Sequence, residues 1–240
     1  MVERNHCSDD SCALPGAADA GAGGAAATGA AGGTVLHYIY DPLCGWCYGA
    51  APLLKAAQEV DGLAIALHGG GMLSGSNRKQ VSAQLRNYVM QHDHRIAAMT
   101  GQPFGDGYFN GLLLDTSAVL DSDPPITAVL AAEACGGLGL AMLARIQTAH
   151  YVNGLRVVDA AVLRGLALEI GLDAALFDSA FAAHGGAAAQ AHITASRALL
   201  KQVGGQGFPT FVLQRGEQLQ MLDAGRFLGQ AEAWKEVLQG

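Results

Sequence analysis

The chain has 240 residues, of which 50% are hydrophobic and 15% are charged, and its formal net charge is -7. This composition is typical of a globular chain with a sizeable core, and the lack of a basic surplus argues against nucleic acid and anionic membranes as partners. Its apolar runs are short and interrupted, so none approaches the roughly 20 residues that a membrane-spanning helix needs.

Residues 1–33 are predicted to form a flexible leader. Charged and polar residues come first, without the apolar core of a secretory signal, and an Ala/Gly-rich tract follows from Gly16 to Gly33. Such a tract has too few large side chains to offset the entropy of ordering. Five cysteines, an odd number, in a chain without an export signal favour a reducing compartment, and we expect the cytoplasm.

A βαβ unit is predicted directly after the leader. Residues 35–40 are rich in β-branched and aromatic side chains and end in Asp41-Pro42, which is typical of a strand that closes in a turn. A helical sequence follows Cys47, with Pro52 expected to bend it, and residues 63–68 predict a second strand. The right-handed crossover of such a unit places the first turn at the carboxyl edge of the sheet, where sites form in α/β proteins.

The middle of the chain, residues 77–203, is predicted to be entirely helical. Asp159 and Asp173 stand where the N-terminal caps of two helices belong. The sequence DSDPP at residues 121–125 is typical of a further helix start, because proline there costs no hydrogen bond.

A β-hairpin and a final helix are predicted at the end of the chain. Residues 207–213 are rich in β-forming side chains, and residues 218–222 can pair with them across a turn at Arg215-Gly216. The final helix is expected to lay one apolar face on the sheet, formed by Phe227, Leu228, Ala231, Trp234 and Leu238.

The clearest chemical signal is the pair Cys44 and Cys47, which are separated by two residues at a helix start. This spacing puts one sulfur at the exposed helix N-terminus, where backbone N–H groups stabilise a thiolate, and the other about one turn inside. Cys44 is therefore the expected nucleophile, and Cys47 the thiol that resolves a mixed disulfide. The alternative is half of a zinc site, since zinc knuckles use this spacing, but a second such pair is missing.

The remaining cysteines carry weaker signals. Cys7 and Cys12, together with His6, could supply soft metal ligands or form a regulatory disulfide, although they lie in the low-complexity leader. Cys135 lies in an apolar helical stretch and is expected to be a small buried hydrophobe.

Two histidines also invite a metal interpretation. His92 and His94 flank Asp93, but all three stand in a polar helical stretch. A solvated helix face is therefore expected at these positions, and no metal site is predicted.

The sequence GFPT at residues 207–210 is the second informative position. Proline at the head of a strand removes a ladder donor, and it is the residue that adopts a cis peptide bond at least cost. By itself such a proline is a weak signal, since most mark a plain strand boundary. Together with the C-x-x-C pair it becomes far more specific.

These features together resemble the thioredoxin superfamily, and the long helical insert resembles its DsbA branch. More closely, DPLCGWCYG at residues 41–49 and AHYVNGL at residues 149–155 are similar to FrnE-type DsbA-like proteins. The resemblance implies an α/β thioredoxin fold (βαβ…ββα) with a helical domain inserted between its two halves. Residues 34–75 and 204–240 would form the thioredoxin-like domain, and residues 76–203 the insertion.

The resemblance also implies roles for individual residues. Cys44 would be the nucleophile, Cys47 the resolving thiol and Pro209 a cis-proline packed against the disulfide. Phe208 would present backbone groups to a bound peptide, and Thr210 follows it in the predicted substrate-binding segment.

The chain departs from its relatives at two points. Strongly oxidising members carry proline and histidine between the cysteines, whereas Gly45 and Trp46 stand here, so strong oxidant activity is not implied. The buried acid of many relatives would fall near Tyr38, and Asp41 could substitute for it, although an aspartate before proline is typical of turn chemistry. The indole of Trp46 could bind a peptide or apolar ligand, or pack against the insertion.

Dithiol–disulfide exchange through Cys44 and Cys47 is the leading hypothesis for function. It needs no organic cofactor, takes a protein or small-molecule disulfide as substrate, and requires a thiol redox partner, for which glutathione is a candidate. One alternative is a glutathione-dependent isomerase or transferase, because kappa-class transferases and hydroxychromene-carboxylate isomerases resemble the same fold, although they generally carry serine at the nucleophile position. Another is a metal-binding module with a thioredoxin fold.

Overall fold

The computed structural model describes residues 33–240, which form a mixed α/β fold. Its strands within this range are β1 (Thr34–Tyr40), β2 (Leu63–Gly69), β3 (Lys79–Gln80), β4 (Val119–Leu120), β5 (Thr210–Arg215) and β6 (Gln218–Leu222). Its α-helices are α1 (Gly45–Gly49), α2 (Ala51–Gln58), α3 (Ala83–Thr100), α4 (Asp123–Gly136), α5 (Gly139–Tyr151), α6 (Ala160–Glu169), α7 (Ala174–His184), α8 (Ala187–Gln202) and α9 (Ala231–Gln239). The predicted leader, with Cys7 and Cys12, lies outside the described residues except for Gly33.

A four-stranded sheet in the order β2, β1, β5, β6 forms the centre of the fold. β1 pairs in parallel with β2 and antiparallel with β5, and β5 pairs antiparallel with β6. The predicted βαβ unit and the predicted hairpin are therefore confirmed. The first hairpin strand begins at Thr210, so the segment from Gly207 to Pro209 is a loop rather than strand.

Side chains of β1 alternate between the two faces of the sheet. On one face Tyr38 is fully buried, and its ring contacts the ring of Phe211 on β5, with 4.7 Å between centroids. Trp234 of α9 packs edge-on against the same Phe211 ring at 5.2 Å. The Tyr38 hydroxyl also donates to the carbonyl oxygen of Cys47 at 3.2 Å, so this aromatic layer is tied to the helix that carries the second cysteine.

The segment between β2 and β5 carries α3 to α8. The expectation that it is entirely helical is wrong in one respect, because β3 and β4 form a short antiparallel ladder with Lys79 opposite Leu120. Two-residue strands are too short to show the alternation from which strands are predicted. No helix within residues 33–240 is long and apolar enough to span a bilayer.

The two predicted helix caps differ in how they work. Asp173 precedes α7, and its carboxylate accepts the N–H groups of Ala175 and Leu176, both at 2.9 Å. Asp159 stands at the cap position of α6, but its side chain makes no capping hydrogen bond. The division into a thioredoxin-like domain and an insertion, with the boundaries given above, stays a prediction.

The end of the chain differs from the single amphipathic helix that was predicted. Phe227 ends a short 3-10 turn, whereas α9 begins at Ala231. The break lies at Gly229, whose φ of 78° is left-handed and therefore ends helical geometry. Trp234 and Leu238 still bury the apolar face of α9, as expected.

Candidate active site

The two cysteines lie at the start of α1, shortly after the end of β1, and they are buried unequally. Cys44 is the N-cap of α1 and is 6% exposed, whereas Cys47 lies inside the helix and is 0% exposed. Both are free thiols in this structure. The carbonyl oxygen of Cys44 accepts the N–H of Tyr48 at 3.1 Å, which closes the first helical turn between the two sulfurs.

The turn before Cys44 is organised by Asp41. Its carboxylate oxygen Oδ1 accepts the N–H of Leu43 at 2.9 Å, and its carbonyl oxygen accepts the N–H of Cys44 at 3.2 Å. Asp41 followed by Pro42 therefore forms the tight turn that the sequence predicts, because aspartate bonds its own backbone two residues on. This turn aims Cys44 at the start of the helix.

Asp41 also contacts the buried thiol. From the sequence alone, a simple turn residue was the favoured interpretation of this position. Its backbone N–H donates to Sγ of Cys47 at 3.5 Å. Its carboxylate is fully buried and accepts two further donors, the N–H of Met72 and the hydroxyl of Ser122. Burial raises the pKa of Asp41, while its hydrogen bonds to Leu43, Ser122 and Met72 act in the opposite direction.

Burial also raises the pKa of the Cys47 thiol well above its ordinary value. The neighbouring Cys44 adds to this effect, and the backbone N–H of Asp41 opposes it. A thiolate at Cys47 is thus disfavoured until a reaction requires it. Tyr38, at the position where the family resemblance would place an acid, provides a neutral hydroxyl, because burial raises its pKa as well.

The cis-proline loop lies directly beside Cys44. The Phe208–Pro209 peptide bond is cis. Sγ of Cys44 donates to the carbonyl oxygen of Phe208 at 3.5 Å, and the hydroxyl of Thr210 donates to the carbonyl oxygen of Gly207 at 2.7 Å. The structure therefore brings Cys44 and Cys47 together with the segment around Pro209, which lies more than 160 residues later in the sequence.

The segment after β2 forms a second wall of this corner. The Phe208 ring lies against Gly70 so closely that a Cβ atom there would overlap it, which only glycine avoids. Arg197 of α8 holds the segment from outside, because its guanidinium donates to the carbonyl oxygens of Gly70 at 2.7 Å and Gly71 at 2.6 Å. This same segment supplies the Met72 N–H that Asp41 accepts.

An open groove of about 780 Å³ leads to the corner. Among its lining residues are apolar side chains from five parts of the chain, namely Trp46, Met99, Phe208, Met221 and Leu228. Met99 and Met221 are 42% and 50% exposed, so their flexible thioethers line an accessible surface. Arg95 and Asp223 add one charge of each sign to the lining.

The side chain of Trp46 lies between the core and the groove, and its role in substrate binding stays a prediction. Its partly buried indole packs against the core and also lines the groove. The guanidinium carbon of Arg95 on α3 lies 5.8 Å from the centre of the indole ring, which is a cation–π distance. The indole is thus held in place by the helical segment while one side faces the groove.

The other candidate residues lie away from the cysteine pair. His92 and His94 are exposed and contact the rings of Tyr88 and Phe109 at 4.8 and 4.7 Å, in agreement with a solvated face. Asp93 between them is only 4% exposed, so the expectation is wrong for this residue. No group of three or more His, Cys, Asp or Glu side chains able to hold a metal ion occurs within residues 33–240.

Cys135 lies on α4 and is half-buried rather than fully buried. It packs against the core as the sequence suggests, but its sulfur is not sealed from solvent. It therefore provides a natural control for experiments that modify thiols.

Comparison with known proteins identifies several similar chains. Residues 35–231 match a family described as the DSBA-like thioredoxin domain. The cytosolic disulfide reductase DsbM from Pseudomonas aeruginosa is 57% identical, with 85% of this chain and 97% of that chain covered and a TM-score of 0.81. The structure of that reductase with GSH gives 56% identity, the same coverage and a TM-score of 0.80.

A more distant similarity extends over the same length. A putative protein disulfide isomerase from Nitrosomonas europaea is 26% identical, with 86% of this chain and 96% of that chain covered and a TM-score of 0.71. Comparison with curated proteins gives no match.

Proposed function

Because the chain belongs to the family of DsbA-like thioredoxin domains, we propose that this thiol–disulfide oxidoreductase acts as a disulfide reductase with Cys44 as its nucleophile. The expected DsbA-like thioredoxin fold is confirmed by the same comparisons. The direction of electron flow, the roles of the two cysteines and the thiol partner are the parts that we propose.

The unequal burial of the two thiols carries the proposal. Sγ of Cys44 lies beside the carbonyl of Phe208, a residue that lines the groove, and Cys44 keeps an exposed fraction of 6%. Cys47 is fully buried, with an N–H of Asp41 on its sulfur. An incoming disulfide therefore meets Cys44 first. Cys47 can reach only a disulfide that has already formed on Cys44.

The reaction proceeds in two exchange steps. The Cys44 thiolate attacks one sulfur of the substrate disulfide, whose S–S bond breaks, and the departing thiolate takes a proton from solvent. Cys47 then loses its proton and attacks Sγ of Cys44, which releases the second substrate thiol and leaves a Cys44–Cys47 disulfide. Two electrons pass from the cysteine pair to the substrate, and two external thiols restore the dithiol by the reverse exchange.

Asp41 serves the second step in two opposing ways. Its backbone N–H stabilises a thiolate as it forms on Cys47, whereas its buried carboxylate raises the pKa of that thiol by charge repulsion. A reduced pair without a strongly stabilised thiolate gives up its electrons more readily, because the reduced form gains little from ionisation. This favours a reductant over an oxidant.

Glutathione is the thiol partner that we propose. DsbM from Pseudomonas aeruginosa, a cytosolic disulfide reductase, was solved with GSH, and its sequence is 56% identical to this chain in that structure. We assign the same compartment, the cytoplasm, to this protein on the basis of that similarity. The groove beside Cys44 has room for a peptide of this size, with Trp46, Phe208 and Thr210 as its lining at the cysteine end.

Trapping of mixed disulfides tests the proposal. The Cys47→Ser variant should accumulate a glutathione adduct on Cys44 when incubated with oxidised glutathione, because the resolving thiol is gone. The Cys44→Ser variant should form no adduct at the motif and should lose reductase activity on insulin. Peptide mass spectrometry locates the adduct.

A matched control uses the half-buried thiol outside the motif. Cys135→Ser should keep the wild-type rate, because Cys135 lies on α4 away from the groove. Turnover by Cys44→Ser at the wild-type rate would show that another group is the nucleophile. An adduct on Cys47 instead of Cys44 would reverse the two assigned roles.

A further inference from the structure

Helix α3 packs directly on the redox helix α1 at two glycines that are four positions apart. A Cβ atom added at Gly45 would lie 2.5 Å from Oδ1 of Asp93, and one at Gly49 would lie 2.7 Å from Cγ2 of Ile96. Residues four apart share one face of a helix, so these glycines form the face that admits α3. The glycine between the two cysteines is therefore required by the contact with Asp93.

Asp93 is a buried carboxyl group with a single donor among residues 33–240. It is 4% exposed, and the hydroxyl of Tyr108 donates to its Oδ2 at 2.9 Å. Burial raises the pKa of Asp93 to about 6, and the Tyr108 hydrogen bond opposes this shift. At neutral pH the group carries a negative charge close to the residue that follows Cys44.

We propose that Asp93 is a positioning residue for the redox couple, whose carboxylate against the first turn of α1 disfavours the Cys44 thiolate and makes the pair more reducing. This inference rests on the proposed function, because it assigns a cause to the reducing direction. Two negative charges at one helix start repel each other, so the ionised thiol loses stability whenever Asp93 is charged. With less stable thiolate, the reduced pair is a stronger electron donor.

The other ionisable groups around Asp93 keep one charge state near neutral pH. Burial raises the pKa of Tyr108 and of Tyr151 on α5, so both rings stay neutral phenols. Burial lowers the pKa of His150 to about 3, so this ring, which contacts the ring of Tyr108 at a tilt and that of Tyr151 edge-on, is uncharged. Cys47 on α1 stays protonated because burial raises its pKa.

Three further ionisable side chains lie on α3 itself. His92, His94 and Arg95 are exposed, so solvent screens them from the buried carboxyl. Asp41 also faces the motif, but three hydrogen-bond donors oppose the rise in its pKa, whereas one described donor opposes the rise at Asp93. Among the described groups around the redox helix, Asp93 is therefore the one whose charge we expect to change near pH 6, and Cys44 should respond to it.

Alkylation of Cys44 measures this effect directly. In a Cys7→Ser, Cys12→Ser, Cys135→Ser background, which leaves the motif cysteines as the remaining thiols, the rate of reaction of Cys44 with iodoacetamide is followed from pH 5 to 9 by peptide mass spectrometry. Asp93→Asn, which keeps the shape and removes the charge, should react about tenfold faster than the parent at pH 7. Its equilibrium constant with glutathione at pH 8 should move about tenfold toward the dithiol, or about 30 mV in potential.

Asp106→Asn is the matched control, because Asp106 is exposed and its carboxylate bonds only Asn110 among the described side chains. Its alkylation rate and equilibrium constant should equal those of the parent. Equal values for Asp93→Asn and the parent would overturn the inference. If the parent itself reduces neither insulin nor oxidised glutathione, the proposed function fails instead, which separates the two outcomes.

The parent protein provides a second test that needs no folded Asp93 variant. Its own alkylation profile should show two steps, with a bend near pH 6 where Asp93 loses its proton. Tyr108→Phe removes the donor that stabilises the carboxylate, so this bend should move to higher pH. A single smooth step in both proteins would overturn the inference.

Discussion

Two buried carboxyl groups lie on opposite sides of the redox motif, and the chain surrounds them differently. Asp41, at the end of β1, accepts from the N–H groups of Leu43 and Met72 and from the hydroxyl of Ser122. Asp93, on α3, accepts only from the hydroxyl of Tyr108 among the described residues. Burial raises the pKa of both groups, but several donors favour an anion far more than one donor does.

The comparison separates two uses of a buried acid. Asp41 joins the motif turn, the segment after β2 and the start of α4, so its main effect is to hold these three parts together. Asp93 touches the redox helix through Gly45 and has little else to hold. The first is therefore expected to affect stability most, and the second the pH dependence.

Removal of the Asp41 side chain should have the largest effect on stability. Asp41→Ala leaves three donors, two of them on buried residues and one on the partly buried Met72, without an acceptor, at about 1–3 kcal/mol each, so we expect the free energy of unfolding to fall by about 4 kcal/mol or more. Urea denaturation measures the loss. The control is Asp61→Ala, because Asp61 is exposed and should change the free energy by less than about 0.5 kcal/mol. A loss below about 1 kcal/mol for Asp41→Ala would remove the distinction between the two carboxyls.

The pH dependence of the free energy of unfolding should reveal the protonation of Asp93. Its pKa is about 6 in the folded protein, above the value of an unfolded chain, so the folded state binds more protons between about pH 4 and 6. The wild type should therefore lose up to about 3 kcal/mol of stability as pH rises through this window. Asp93→Asn should lack this loss. Urea denaturation at several pH values compares the two proteins, and parallel curves would contradict the assignment.

The contact between Gly45 and Asp93 should appear as coupling between two substitutions. Gly45→Ala places a methyl group against the carboxylate, which we expect to cost about 2 kcal/mol in the wild type. In an Asp93→Ala background the cost should fall by about 1–2 kcal/mol. Gly165→Ala on α6 is the control, because no atom lies within 4 Å of an added Cβ there, and helix propensity should make it stabilising by up to about 1 kcal/mol. Additive effects at Gly45 and Asp93 would show that the two residues do not touch.

Arg95→Ala should give the smallest effect. It removes the cation–π contact with Trp46, which is worth about 0.5–1 kcal/mol at an exposed site. The KM for a peptide disulfide should rise about twofold to fivefold, with kcat unchanged, because the indole lines the groove and does not react. Steady-state kinetics measure KM and kcat separately. A change in kcat alone would show that Arg95 acts on the reaction step instead of on substrate binding.

Local signals predicted the part of the site that lies on short segments. The strand before the motif, the spacing of Cys44 and Cys47, and the proline before β5 each depend on neighbouring residues, so each could be predicted from the sequence. Family resemblance then suggested that the three come together. The geometry agrees, with Sγ of Cys44 beside the Phe208 carbonyl.

The contribution of the helical segment could not be predicted in this way. Asp93 stands between His92 and His94 in a polar stretch, a pattern typical of an exposed face, and it is buried only because α3 packs on Gly45 and Gly49. Such burial depends on tertiary contacts between residues almost fifty positions apart. The acceptor role of Asp41 toward Ser122 is hidden for the same reason, although an aspartate before the motif was a usable hint.

Arg197 ties the corner that holds the two cysteines to the helical segment. Its guanidinium braces Gly70 and Gly71 from α8, and the chain leaves that helix directly into the cis-proline loop. A shortened protein made by splicing the two sheet-forming stretches together would lose this brace along with Ser122 and Asp93. The surroundings of the cysteine pair are thus built jointly by sheet and helices. If the proposed role of Asp93 holds, substitutions on the helical side can retune the pair without any change in the motif.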